Sequence, residues 1–237
     1  MNLWLRVFLP FAAGYYLSYL LRTVNAVIAP ELTRELTLTA ADLGLLTSAY
    51  LLAFAAFQIP LGLLLDRYGP RRVEAGLLLV AAAGTLLFAI GRSPFELTVA
   101  RGLIGLGVSS CLMAAFKGFA QNFPAERQAS LTGAIMASGG LGALTASLPL
   151  EFALPLLGWR GVFQGLTFLL LAVAALIFFS VPQREAGVSR DSLGAQLKDV
   201  GGILAHRVFW RFAPPMTLVT GGFLAVQGLW AVPWLMN

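Results

Sequence analysis

Apolar runs long enough to cross a lipid bilayer recur along almost the whole chain, at residues 7–30, 43–65, 73–91, 97–117, 129–152, 161–181 and 209–235. A spanning helix needs about 20 residues. Backbone N–H and C=O groups find no water inside lipid, so a run of this kind satisfies them within a helix. Membrane strands are about ten residues long and alternate apolar with polar residues; these runs do neither. The composition agrees, with 58% hydrophobic and 11% charged residues among 237, where a soluble domain carries about 25% charged residues. The first run is long, lacks a small-residue cleavage site and is followed by more spans, so it does not resemble a cleavable signal peptide. The chain is expected to be an all-α integral membrane protein whose solvent is the lipid bilayer.

The formal net charge is +5, but the basic residues flank apolar runs, which points to membrane topology rather than to nucleic acid. With a cytoplasmic N-terminus, Arg6, Arg67, Arg71, Arg72, Lys117, Arg127, Arg184, Arg190, Lys198, Arg207 and Arg211 lie on or near the cytoplasmic side. Arg34, Arg92 and Arg160 then lie outside, and Arg22 and Arg101 fall within spans. The expected organisation is a six-helix bundle over 1–181, a cytoplasmic linker over 182–206 and a seventh span over 207–237. In the linker, Leu193, Leu197, Val200 and Leu204 share one helical face, which predicts a short amphipathic helix on the membrane surface. The other reading is a solvated linker.

The most specific motif is GLLLDRYGPRR, Gly62 to Arg72, between the second and third runs. Gly62 permits close helix approach, Asp66 ends a helix, Gly69 and Pro70 make a tight turn, and Arg67, Arg71 and Arg72 hold the turn in the cytoplasm. The motif resembles the G-x-x-x-D-R-x-G-R-R signature of the major facilitator superfamily, with Pro70 where a basic residue is usual. The resemblance covers the whole chain and implies a bundle of two inverted three-helix repeats. GPRRV, Gly69 to Val73, and GWRGV, Gly158 to Val162, would be an echo of that inversion on opposite membrane faces. It also implies a gating role for the loop, a place in the inner (plasma) membrane, and a twelve-helix fold of which this chain supplies one half and the seventh helix. The remaining C-terminal helices would be missing from this chain.

One charge stands out. Arg22 interrupts the first run, and a charge at that depth costs at least about 2.5–3.5 kcal/mol, so it is expected to face a wet cavity. The string YLLRTVNAVIAPEL is similar to the anion:cation symporter and sugar-phosphate permease-like branch, where an arginine on the first helix binds a carboxylate. One arginine matches one carboxylate by bidentate pairing, whereas a phosphate calls for more charge. The alternative is an arginine that pairs with backbone carbonyls or reaches outward. Asn25, Tyr19, Arg101 and Lys117 join Arg22 as candidate substrate-binding residues, each with ordinary packing or helix-end anchoring as its alternative. Small residues at Ala134, Ser138, Gly142 and Ala146, and at Gly107, Cys111 and Ala115, recur every four positions and suit close helix contact. Glu151 reads as interfacial, and no acid stands out as a proton carrier.

No catalytic constellation, metal-ligand spacing or phosphate loop is present, and the expectation is neither an enzyme nor a cofactor protein. The expected function is secondary transport of a small organic anion, coupled to an ion, H⁺, by alternating access. The alternatives are a truncated half that does not itself transport, an organophosphate or nitrate-type anion exchanger, and a drug efflux pump.

Overall fold

The computed structural model describes residues 3–182, 201–202 and 205–225. They fall into two units, Met1–Val188 and Ser189–Asn237. All regular structure in the described residues is helical.

In the first unit a π-helical turn, Trp4–Phe8, leads into α1, Leu9–Leu36. There follow α2, Ala40–Ala56, α3, Gln58–Ile90, α4, Pro94–Val108, α5, Cys111–Asn122, α6, Gln128–Thr145, and α7, Leu148–Ser180. Among the described residues, Gln58–Ile90, Pro94–Asn122 and Pro149–Ser180 are long and apolar enough to cross a membrane. The helix starts are chemically marked. Thr39 and Asp42 form a reciprocal capping box at α2, and Ser93 and Glu96 form another at α4, each satisfying backbone donors that have no intrahelical partner.

Three of the apolar runs are broken where the sequence reading made them continuous. The second divides at Phe57, three residues before Pro60, and the fifth divides at Ala146–Ser147, just before Pro149. Proline has no N–H to give and its ring crowds the preceding turn. The fourth divides at Ser109–Ser110, where the Ser109 hydroxyl donates to the Leu106 carbonyl at 2.7 Å and so competes with the helical ladder.

Conversely, α3 and α7 are each two helices joined through one residue. Gly69 has φ 77° and ψ 163°, and Gly158 has φ 66° and ψ 165°. They are the two positive-φ glycines among the described residues, in a region of backbone space open essentially to glycine alone. The GPRRV and GWRGV segments thus begin with the same backbone conformation, as an inverted repeat requires.

Packing rests on close approach. A Cβ on Gly105 of α4 would lie 2.2 Å from the Tyr50 carbonyl oxygen of α2, and one on Gly142 of α6 would lie 2.2 Å from that of Tyr16 of α1. Small residues let helix backbones meet where lipid gives no hydrophobic push between helices. On α6 the buried face is Leu131, Ile135, Gly139 and Gly142, with Ala134 and Ser138 half-buried. A strict every-fourth pattern drifts around a helix of 3.6 residues per turn, which is why the predicted stripe only partly matches the buried face. Phe88 of α3 stacks on Phe163 of α7 with centroids 4.2 Å apart, and Thr85 and Thr167 hydrogen-bond beside them at 2.9 Å.

At the end of the bundle that holds the C-terminus of α1, Glu35 accepts from the Trp159 indole at 2.6 Å and from Arg160. These two donors hold its carboxyl below the usual carboxylate range. Arg160 also donates to the Gly91 carbonyl at 3.2 Å, so one arginine ties the ends of α1 and α3 to the Gly158 turn.

In the second unit, α8 spans Arg207–Ala225 with Pro214 and Pro215 inside it. The expected amphipathic helix around Leu193–Leu204 and the C-terminal part of the seventh run lie outside the described residues.

Candidate functional site

A cavity of 270 Å³ lies inside the first unit. From α1 it is lined by Tyr15, Ser18, Tyr19 and Arg22, residues spaced three and four apart and so on one helical face. Phe54 of α2 and Gln58 of α3 form a second wall, and the α4–α5 break supplies Val108, Ser109, Leu112 and Met113.

The break explains why polar groups gather here. Ser18 donates to the Val108 carbonyl at 3.5 Å, and Gln58 donates to the Ser109 carbonyl at 3.4 Å. Irregular backbone at membrane depth is tolerated where protein groups or a wet cavity meet it. Two helices therefore supply side chains to the interrupted turn of a third, and the cavity opens beside it.

Arg22 is the charge in this cavity. Its guanidinium carbon sits 4.9 Å from the centroid of Tyr19 and 5.1 Å from that of Phe54. A cation between two aromatic faces is stabilised by about 0.5–2 kcal/mol per face, more when water is excluded. Among the described residues it forms no salt bridge, and its Nε has no hydrogen-bond partner. Tyr15 packs edge-on against Tyr19 at 5.0 Å, which fixes the ring under the guanidinium.

The other predicted residues divide. Tyr19 lines the cavity with Arg22. Asn25 does not; it is buried, and its amide donates to Thr47 Oγ1 at 3.4 Å. Arg101 is not an outward-reaching arginine and does not line the cavity. It is 1% exposed, donates to the Leu21 carbonyl at 3.0 Å and lies 4.7 Å over the Tyr50 ring. It fills the core between Leu21 and Tyr50. Lys117 does not line the cavity either: its ammonium pairs with Asp66 at 2.5 Å. A carboxylate within reach takes the cation that the sequence alone offered to a substrate.

That pair belongs to the GLLLDRYGPRR motif. Arg67 lies 5.5 Å over the ring of Tyr68, and Arg71 lies 4.9 Å over that of Phe178. Gly69 forms the turn as expected. Gly62 does not mediate a close approach among the described residues, because a Cβ there would meet nothing within 4 Å. Sequence reasoning missed Phe54, Gln58 and Ser109; the only signal for them was the pair of adjacent serines inside an apolar run.

The sequence profile of the Major Facilitator Superfamily matches residues 11–236. The chain belongs to that superfamily. A hexuronate transporter of Escherichia coli (strain K12) is 28% identical over 221 residues, covering 86% of this chain and 51% of the relative. A galacturonate transporter of Dickeya chrysanthemi is 26% identical over 224 residues, covering 86% and 64%. A gallate transporter of Pseudomonas putida is 29% identical over 210 residues, covering 82% and 44%. The chain thus spans about half the length of these curated relatives. As a facilitator-superfamily chain it is a multi-pass membrane protein, and its helical first unit is of the kind the motif implied.

Proposed function

We propose that this facilitator chain serves the uptake of a small organic carboxylate by alternating access, coupled to protons, with Arg22 as the anchor for the carboxylate. The observation that carries the reading is the Arg22 guanidinium: it lines a cavity between two aromatic faces and forms no salt bridge among the described residues. Lys117 and Arg160, by contrast, are each paired with an acid. A planar guanidinium that no acid has already paired takes a carboxylate by two parallel hydrogen bonds. The relatives named for hexuronate, galacturonate and gallate support the class, since each of those substrates is a carboxylate.

The test is uptake of labelled carboxylates into proteoliposomes holding the full-length transporter, with and without an inward proton gradient. Uptake that a protonophore leaves unchanged would remove the proton from the reading.

The Asp66–Lys117 pair is proposed as part of the cytoplasmic latch. Lys117 is half-buried and Asp66 exposed, with side-chain exposures of 26% and 61% respectively, so water reaches the pair and its contribution to stability is small. Asp66→Asn is expected to slow transport turnover while leaving the substrate dissociation constant within about twofold, because a contact specific to one gate state shifts populations rather than site chemistry. Equal turnover in the variant and the parent would remove the latch role.

The topology proposed is a cytoplasmic N-terminus with the Gly69 turn on the same side. In a Cys111→Ser background, a cysteine at Gly69 is expected to resist an impermeant thiol reagent applied to intact cells and to react in inverted vesicles. Labelling from outside would reverse the orientation.

A further inference from the structure

Glu74 is a buried acid that the anion cavity does not use. It lies on α3, five residues beyond the Gly69 break. It is 0% exposed, and among the described residues no cation and no donor other than the Cys111 thiol reaches its carboxyl. Its carboxyl occupies the space left by Gly14 of α1: a Cβ there would lie 2.4 Å from Glu74 Oε1 and 3.7 Å from Ile177 of α7. The Cys111 thiol faces it from α5. On its own helix, Arg71 turns away onto Phe178. On α1, Tyr15 stands next to Gly14 but directs its hydroxyl to Met136 Sδ, and Arg22 lies two turns farther along in the cavity. No salt bridge reaches Glu74 among the described residues.

An ionised carboxylate cut off from water and from any cation costs several kcal/mol. The packing at Gly14 therefore suits the neutral acid and excludes the carboxylate with its hydration shell. Ionisable groups held in this way inside membrane proteins mark ion and proton pathways. Here the group rests on the same helix that carries Arg22, so any displacement of α1 acts on both.

We propose that Glu74 is a proton-binding site of the transport cycle, protonated while α1 packs against it at Gly14 and deprotonated when α1 moves off and water reaches the carboxyl. The step is one protonation equilibrium. The carboxylate takes a proton from hydronium, so that one O–H bond forms on the carboxyl as one breaks on the hydronium and leaves water, and the reverse transfer later returns the proton to water. The inference rests on the proton-coupled reading above and names the residue that serves it.

Two measurements on the full-length transporter in liposomes test it. The first needs no substrate. In infrared difference spectra between acid and alkaline pH, over about pH 4 to 9, where exposed and buried carboxyls titrate, a carboxylic-acid C=O band is expected at the high-frequency edge, where a dry, weakly hydrogen-bonded carboxyl absorbs apart from the exposed acids. Glu74→Gln should delete that band and Glu74→Asp should shift it. Absence of the band, or its persistence in Glu74→Gln, would overturn the proposal. The second is uptake of labelled galacturonate, hexuronate and gallate driven by a proton gradient. Glu74→Gln is expected to lose accumulation, with internal label levelling at the external concentration; full accumulation by that variant would also overturn it. If the parent protein moves none of these carboxylates, the proposed function falls, while the infrared band still decides whether Glu74 exchanges a proton.

Discussion

Replacing Arg22 with alanine is expected to reduce carboxylate uptake by about 100-fold or more. A hydrogen bond to a charged group contributes about 1.5–3 kcal/mol, and a bidentate pair makes two. Losing about 3 kcal/mol of binding alone weakens affinity by roughly two decades. Arg22→Lys is the sharper variant. Lysine keeps the charge but not the planar fork, which sits 4.9 and 5.1 Å from the centroids of Tyr19 and Phe54. If pairing geometry matters, Arg22→Lys fails nearly as badly as Arg22→Ala; if only attraction matters, it retains most of the uptake. Initial uptake rates over a range of substrate concentrations separate the two, and undiminished uptake by Arg22→Ala removes Arg22 from the site.

The second large effect is on packing. Gly105→Ala is expected to lower the thermal midpoint of the purified protein by about 2–12 °C, since overpacking of this kind costs about 1–3 kcal/mol and each kcal/mol moves a chain of this size by about 2–4 °C. The new methyl would lie 2.2 Å from the Tyr50 carbonyl oxygen and 2.9 Å from its carbonyl carbon, both backbone atoms that no rotamer change can move aside. The helices themselves must separate. Tyr50 carries the ring on which Arg101 rests, so the same substitution is expected to disturb the core behind Arg22 and raise the apparent KM. Gly102→Ala, one turn earlier, serves as the control because a Cβ there meets nothing within 4 Å. Equal midpoints for the two variants would mean that α2 and α4 do not pack as described.

Much of the architecture follows from one-dimensional pattern. The apolar runs announce the helices because lipid leaves the backbone no alternative. Thr39 and Asp42, and Ser93 and Glu96, mark two helix starts at capping-box spacing. Gly69 is legible as a turn because glycine alone tolerates its backbone angles, and Gly158 repeats it. Arg22 is legible as a candidate because a charge in an apolar run needs a reason.

Tertiary structure decided which charges are available and which are already satisfied. Lys117 looks in the sequence like a cation for a substrate; its partner, Asp66, is 51 positions away in the chain, and only folding brings them together. Arg101 looks like a second site arginine, but folding buries it against Leu21 and Tyr50. Beyond the adjacent serines, Phe54, Gln58 and Ser109 carry no mark in sequence, because a cavity is made by where helices are interrupted and what faces the gap. Glu74 is the plainest case. It lies in the third apolar run, where the sequence singled out no acid, yet the Gly69 break turns α3 so that this one carboxyl packs against Gly14. Periodicity reports the face a residue occupies on its own helix; whether that face meets lipid, a partner or a void is set by the other helices.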